Sequence, residues 1–151
     1  MSSTTDAASG LGVATALVRM SHLVQRVFAD VARAHGLPPQ QLQLLCMLID
    51  GPVGMSELGR LMHLERSTMT GLVDRVEKRG LVARVPDPAD RRACVVTLHD
   101  DGRRLAVAAH DDVTARLESM TRCLDPGDRA RLASAQTRIL FEHDPAWAAG
   151  R

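Results

Sequence analysis

The fold is decided between Met55 and Leu98, by the stretch MSELGRLMHLERSTMTGLVDRVEKRGLVARVPDPADRRACVVTL. It predicts two short helices followed by a β-hairpin, with the sequence Asp90-Arg91-Arg92 at the hairpin tip. A helix pair followed by a basic β-ribbon is able to reach two adjacent grooves of a DNA duplex. The stretch therefore indicates a helix-turn-helix with a wing.

The second helix of this pair has a clear helical periodicity. Its apolar residues follow the i, i+3, i+4, i+7 spacing of a helix that buries one face, and they are Met69, Leu72, Val73 and Val76. Gly80 lies just beyond the last turn, where a left-handed residue commonly ends a helix. We predict this recognition helix at about 65–79, the wing at about 82–98, and an N-cap for the preceding helix at Ser56.

Long helices flank this lobe on both sides. Apolar residues from Val13 to Val31 define a first helix, and those from Leu105 to Leu124 define a helix too long to pack fully on so small a domain. Asp125 and Pro126 form an N-cap and N1 pair that opens a last helix. The predicted fold class is therefore mainly α with a small β-hairpin wing (α+β).

The composition is that of an ordinary globular protein. Of 151 residues, 45% are hydrophobic and 25% are charged, and the formal net charge is only +1. Any attraction to nucleic acid must therefore come from local clustering of charge. The apolar run from Leu11 to Val18 is too short for a membrane span and lacks the flanks of a signal peptide. We expect a cytoplasmic protein that does not associate with membranes.

Cysteine spacing and catalytic motifs give no sign of a metal or an enzyme. The three cysteines, Cys46, Cys94 and Cys123, form no C-x-x-C pair, so we expect buried, unreactive thiols and leave a redox role open. The histidines and aspartates near positions 99–112 contain no H-x-x-x-H, so we expect no metal site. The sequence has no nucleophile elbow, P-loop or dinucleotide fingerprint, so we expect no catalytic residues and no cofactor.

The outward face of the recognition helix is rich in small and hydroxyl side chains. Helical periodicity turns outward Arg66, Ser67, Thr70, Gly71, Asp74 and Arg75. Small polar groups are able to approach base edges and phosphates closely in a major groove about 12 Å wide. The alternative interpretation is a solvated helix face with no partner.

Positive charge clusters locally around this helix and the wing. Between Arg60 and Arg92 the sequence has eight basic and five acidic residues, an excess of three positive charges. Arg91 and Arg92 on a narrow loop are suited to the negative potential of a minor groove, and Asp90 is suited to fixing the loop or orienting an arginine. The alternative is a turn that only increases solubility.

The stretch from Met55 to Leu105 closely resembles the winged helix-turn-helix core of the multiple antibiotic resistance regulator (MarR) family. Its most specific parts are LVDRVEKRGLV at 72–82 and DPADRR at 87–92. The resemblance extends over nearly all of the chain after a leader. Two positions depart from the family's usual pattern, because Glu65 replaces a small N-capping residue and His99 replaces a threonine before the fifth helix.

The resemblance implies a homodimer that binds double-stranded DNA. It assigns a helical dimerisation region to 11–35 and 100–147 and a DNA-binding lobe to 37–98, and we expect the Ser/Thr-rich leader at 1–10 to be disordered. Each monomer would place its recognition helix in a major groove and its wing in the flanking minor groove. The residues expected to contact DNA are Arg66, Ser67, Thr68, Thr70, Gly71 and Arg75 of the recognition helix and Asp90, Arg91 and Arg92 of the wing.

The resemblance also implies a function, with alternatives that stay open. We expect a sequence-specific transcriptional regulator, a repressor acting at a pseudo-palindromic operator, with release by a small-molecule effector as an open possibility. Arg19 and His22 are candidate effector contacts, but the chain has no tyrosine and two phenylalanines to line an aromatic pocket. The alternative function is a dimeric winged-helix module that binds a protein and lacks specific DNA binding.

Overall fold

The computed structural model describes residues 10–144 of the chain. It has six α-helices and a three-stranded antiparallel sheet, which confirms the predicted fold class. The predicted leader, apart from Gly10, and the end of the predicted 100–147 segment lie outside the described residues. The elements in chain order are α1 Val13–Ala34, α2 Pro39–Met47, β1 Val53–Gly54, α3 Met55–Met62, α4 Arg66–Lys78, β2 Val82–Pro86, β3 Cys94–Leu98, α5 Asp100–Met120 and α6 Pro126–His143.

The hydrophobic core lies where α2 and α4 meet the ends of α1 and α5. Helix α2 buries Leu42, Leu44 and Leu45 completely, and its C-cap residue Leu48 is completely buried as well. The apolar stripe of α4 packs into the same core, since Met69, Leu72, Val73 and Val76 are all buried. Burial of each such side chain contributes roughly 1.5–3 kcal/mol, so this core orients α4.

The sheet contains one strand that sequence reasoning missed. Strand order is β1-β3-β2, and β1 pairs Val53 with Val96 on β3. Strand β1 is two residues long, too short to show the alternation by which a strand is recognised. It joins the wing to the segment before α3, so both sides of the helix-turn-helix are tied to one sheet.

Three predicted helix starts have different outcomes. Helix α3 begins at Met55 with Gly54 as its N-cap, so the prediction of Ser56 as the N-cap was wrong by two positions. Glu65, the N-cap of α4, makes no side-chain capping hydrogen bond, in agreement with its departure from the family pattern. Asp125 caps α6 as predicted, because its side chain accepts a hydrogen bond from the Asp128 amide at 2.8 Å.

The first turn of α5 packs directly on the base of the wing. Gly102 is buried against Leu81, whose carbonyl oxygen accepts a hydrogen bond from the His99 amide at 3.0 Å. A Cβ added at Gly102 would lie 2.8 Å from the Leu81 carbonyl carbon and closer still to its oxygen. Only a glycine allows α5 to approach the start of β2 this closely.

The remote parts of the long helices have few contacts within the chain. The buried residues of α5 end at Val113, and none of the residues of α6 is buried. The first half of α1 is also exposed from Val13 to Met20. The residues described include no helix that is both long and apolar enough to cross a membrane.

The cysteines do not share one environment. Cys46 on α2 is half-buried, and desolvation raises the pKa of its thiol to about 11, which fits the predicted unreactive thiol. Cys94 is half-buried at the start of β3. Cys123 is exposed, so the prediction of a packed thiol was wrong there, because the short 3₁₀ turn Thr121–Cys123 carries it away from the core.

Replacing Gly102 with alanine is expected to destabilise the protein by at least about 2 kcal/mol, because backbone atoms must move to admit the methyl group. The control is Gly71→Ala in the middle of α4, where the nearest atom is the Arg75 Nη1 at 3.8 Å. That change should stabilise by up to about 1 kcal/mol, since alanine has the higher helix propensity. Urea unfolding measures both values, and equal effects of the two substitutions would contradict the close contact at Leu81.

Candidate nucleic-acid interface

The N-terminal half of α4 presents a small, polar and exposed surface. Arg66, Ser67 and Thr68 occupy the first turn, and all three side chains are exposed. Thr70 is exposed one turn later and its hydroxyl donates to the Arg66 carbonyl at 2.9 Å. The hydroxyl oxygen of Thr70 is therefore left to accept a hydrogen bond from an outside donor.

Two further predicted residues complete this face of α4. Gly71 is half-buried, and the exposed Arg75 extends past it, so that a Cβ at Gly71 would be 3.8 Å from the guanidinium. The structure brings all six predicted recognition-helix residues to the first ten positions of one helix. The free N-terminal amides of that helix add partial positive charge to the same end.

A tight turn holds α4 against α3. His63 ends α3 with a left-handed backbone (φ 52°), and the Leu64 amide donates to the Gly59 carbonyl at 2.9 Å. A Cβ at Gly59 would lie 3.1 Å from the Leu64 carbonyl oxygen, so the glycine makes room for the turn. The short connection gives α4 a defined orientation relative to α3, as a helix-turn-helix requires.

The wing tip is shaped by its aspartates. One carboxylate oxygen of Asp90 accepts a hydrogen bond from the Arg92 amide at 3.0 Å, and Asp87 accepts one from the Ala89 amide at 2.8 Å. The Asp87 amide donates to the Ala93 carbonyl at 3.1 Å, which closes the base of the loop. Arg91 and Arg92 are exposed at the tip. Of the two roles that sequence reasoning allowed for Asp90, the structure shows the one that fixes the loop.

An open groove of about 1070 Å³ lies between α3, the start of α4 and the wing. Arg66 and Thr70 line it from the recognition helix, and Arg92 and Cys94 line it from the wing. Arg60 of α3 lines the same groove. Sequence reasoning counted Arg60 in the local charge excess but did not predict it as a site residue. The turn between α3 and α4 brings Arg60 to the groove, and the sequence pattern does not show this.

Asp74, predicted to face outward, has a side chain that is 49% exposed, but it pairs with the wing and does not line this groove. It accepts a hydrogen bond from Arg84 Nη2 at 2.6 Å, and Arg84 Nη1 donates to Glu77 at 2.5 Å. Burial lowers the pKa of Arg84, but the hydrogen bonds and charges of Asp74 and Glu77 outweigh it, so the net pKa is raised. Arg84 and its two carboxylates therefore contribute to the helix–wing contact.

Arg79 is also engaged within the protein. Its guanidinium donates to Gln41 Oε1 at 3.1 Å and to the Gly36 carbonyl at 3.2 Å. These bonds join the end of α4 to α2 and to the turn before it. Of the eight basic residues counted in the sequence, Arg79 and Arg84 are thus occupied by partners in the fold, and sequence position alone does not reveal such pairing.

The candidate effector residues lie far along the chain from this groove, on α1. Arg19 and His22 border an open depression of about 700 Å³ together with Gln25, Arg26 and Ala29. Among the residues that the structure describes, no group of three or more histidine, cysteine, aspartate or glutamate side chains is arranged to hold a metal ion.

Comparison with known proteins identifies the family. Residues 35–93, which contain the helix-turn-helix and most of the wing, match the sequence model of the MarR family. The helix-turn-helix and most of the wing thus match this family of transcriptional regulators, and the predicted resemblance is confirmed. The family consists of regulators and not enzymes, in agreement with the prediction of no catalytic activity.

Two relatives illustrate the likeness in sequence. The chain is 36% identical over 93 residues to the transcriptional activatory protein BadR of Rhodopseudomonas palustris, covering 59% of this chain and 53% of BadR. It is 32% identical over 95 residues to the repressor NicR of Pseudomonas putida, covering 58% of this chain and 60% of NicR. The matches thus span little more than half the length of these relatives.

A solved structure matches over a longer range. The repressor CouR bound to a 23-mer DNA duplex has a TM-score of 0.72 at 27% identity, covering 92% of this chain and 99% of CouR. CouR from Rhodococcus jostii has also been crystallised with p-coumaroyl-CoA. The likeness covers the long helices as well as the winged helix.

Replacing Asp90 with alanine is expected to loosen the wing tip without unfolding the protein, because only the hydrogen bond to the Arg92 amide is lost. Heteronuclear NOE values of residues 90–92 should fall, while the unfolding free energy changes by less than about 0.5 kcal/mol. Asp128→Ala at the start of α6 is the control and should leave the wing unchanged. An equally ordered wing tip in both variants would show that the loop does not depend on Asp90.

Proposed function

We propose that the chain is a homodimeric, sequence-specific DNA-binding transcriptional regulator. The observation that carries the proposal is the groove in which the exposed start of α4 faces the arginine-bearing wing. Small polar side chains of α4 suit base edges in a major groove, and arginines on a narrow loop suit an adjacent minor groove. The DNA-bound structure of CouR, a relative of the same fold, supports the proposal.

The proposed DNA contacts fall into two sets. The major-groove set is Arg66, Ser67, Thr68, Thr70, Gly71 and Arg75, and the minor-groove set is Asp90, Arg91 and Arg92. Asp90 acts by shaping the loop, since its carboxylate accepts the Arg92 amide. We add Arg60 as a phosphate contact because it lines the groove. Its Nη2 atom lies 3.8 Å from Glu57 Oε1, so Arg60 also forms an ion pair within α3.

Exposed apolar side chains on the terminal helices support a dimer. On α1, Leu17 is 47% and Met20 is 44% exposed, and on α6, Ile139 is 46% and Leu140 is 50% exposed. Helix α6 has 18 residues and none of them is buried. Apolar contacts within one chain therefore do not hold α6 in place. We propose that α1 and α6, with the outer half of α5, form the dimerisation region with a second copy of the chain.

Repression at a pseudo-palindromic operator is the finer part of the proposal. NicR and CouR are named as repressors and BadR as an activator, so two of these three relatives support repression. Two copies related by a twofold axis would read half-sites about one helical turn apart. Release by a small effector, with Arg19 and His22 as candidate contacts, is supported by the ligand-bound structure of CouR and by the depression on α1.

The competing function is a dimeric winged-helix module that binds a protein. Such a module has no need for exposed arginines at the tip of a loop whose backbone is fixed by two aspartates. DNA binding that is weak and independent of sequence would favour this alternative.

Genomic DNA selection with the purified protein is expected to enrich a discrete operator, and log affinity for it should fall steeply against log salt. Arg92→Ala should weaken operator binding by about 1–3 kcal/mol per site. Arg104→Ala is the matched control, because it removes one exposed arginine that lies outside both the groove and the proposed dimerisation region, and it should have little effect. A wild-type affinity for every selected fragment no better than for random DNA would overturn the proposed function.

Sedimentation velocity at micromolar concentration is expected to show a dimer. The double substitution of Ile139 and Leu140 with glutamate should shift it toward monomer, because two charges would be buried in the apolar contact. Gln43→Glu on the exposed face of α2 is the control and should leave the dimer intact. A folded wild-type monomer under these conditions would contradict the dimerisation proposal.

A further inference from the structure

The side chain of Arg84 spans two turns of the recognition helix. It donates to Asp74 at 2.6 Å, to Glu77 at 2.5 Å and to the Thr70 carbonyl at 3.3 Å. The other oxygen of the Glu77 carboxylate accepts the backbone amide of Arg84 at 3.1 Å. The guanidinium therefore binds one face of α4, while the strand that carries it is tied to α4 through its main chain as well.

Arg84 lies at the base of the hairpin, where a small change in the angle between the hairpin and α4 would displace the wing tip. It occupies the middle of β2 and pairs with Val96 of β3, so it belongs to the rigid base of the hairpin. Its side chain is 24% exposed, whereas those of Asp74 and Glu77 are 49% and 39% exposed, so the guanidinium is the more buried part of the cluster. Beyond this point the hairpin extends to the tip that carries Arg92, about 10 Å further at the rise of a β-strand.

Electrostatics alone does not account for this cluster in a DNA-binding surface. Two carboxylates and one guanidinium carry a net negative charge, and Thr70, whose carbonyl Arg84 contacts, belongs to the face proposed to contact DNA. A net negative cluster repels phosphate, so its contribution to binding must come from geometry.

We propose that Arg84 is a positioning residue that sets the separation between the recognition helix and the wing tip, so that both grooves of DNA are contacted at once. Asp74 and Glu77 serve the same role as the fixed acceptors on α4. The inference rests on the proposed function and extends it, since it concerns how the two contact surfaces act together and not which residues touch DNA.

The first experiment removes a negative charge from α4 and asks whether operator affinity rises or falls. Asp74→Asn and Glu77→Gln each remove one negative charge near DNA, so simple electrostatics predicts tighter binding. Positioning predicts the reverse, an operator affinity about five- to tenfold lower, because a neutral amide binds the guanidinium more weakly. Glu65→Gln is the control: it removes a charge from the exposed N-cap, which makes no capping hydrogen bond, and should bind equally or more tightly. Tighter binding by the Asp74 and Glu77 variants would overturn the inference.

The second experiment is a double-mutant cycle between Arg84 and the wing tip. Arg84→Met, which keeps the aliphatic stem, should weaken operator binding about tenfold in the wild-type background. In the Arg92→Ala background the same change should weaken it by about twofold or less, because an orienting residue has no effect once the oriented contact is gone. Arg84→Lys, which retains the charge but not the forked geometry, should fall between wild type and Arg84→Met. Equal losses in both backgrounds would overturn the inference.

Hydroxyl-radical footprinting separates positioning from a loss of stability. With Arg84→Met, protection should remain at the centre of each half-site, where the recognition helix binds. Protection should be lost in the flanking minor groove, where the wing binds. Thermal unfolding shows whether each variant is folded. If Arg84→Met is unstable, the nearly isosteric variants Asp74→Asn and Glu77→Gln are footprinted in its place. Uniform loss of protection would contradict a role in positioning. If wild-type protein shows no specific footprint, the proposed function fails; if it does and the cycle is additive, only the present inference fails.

Discussion

Burial of one face of α4 is the constraint on which the rest of the structure depends. Met69, Leu72, Val73 and Val76 are almost fully withdrawn from solvent, and with 3.6 residues per turn this leaves the opposite face outward. Ser67 and Thr70 are exposed for that reason and not because of any preference of their own. The same packing places Asp74 and Glu77 beside the wing, so the core sets both the exposed face and the face that receives Arg84.

Charge in this protein acts through its placement, because the net charge of the whole chain is only +1. Arg79 and Arg84 are engaged by Gln41 and by the α4 carboxylates, so they stabilise contacts between elements. Arg66 and Arg92, by contrast, line the open groove. The protein thus uses one residue type in two ways, and the surrounding acceptors decide which arginines remain available to phosphate.

The winged-helix lobe and the long helices differ in how densely they pack within the chain. The winged-helix lobe packs around a continuous core, and Gly102 joins the base of the wing closely to α5. Beyond Val113, α5 buries nothing further, and α6 buries none of its residues. The close approach of Gly102 to Leu81 therefore joins α5 to the wing through backbone atoms.

The sequence by itself determined the helices, the wing and the face of α4, because periodicity, the glycine at position 80 and the Asp125 cap act over a few residues. Only the tertiary structure decided the short β1 strand, the start of α3 at Met55, the exposure of Cys123, and the pairing of Asp74 with Arg84. The physical reason is distance along the chain: Arg84 lies ten residues from Asp74, and β1 pairs with a strand more than forty residues away. Such contacts depend on how the elements pack, which no local pattern specifies.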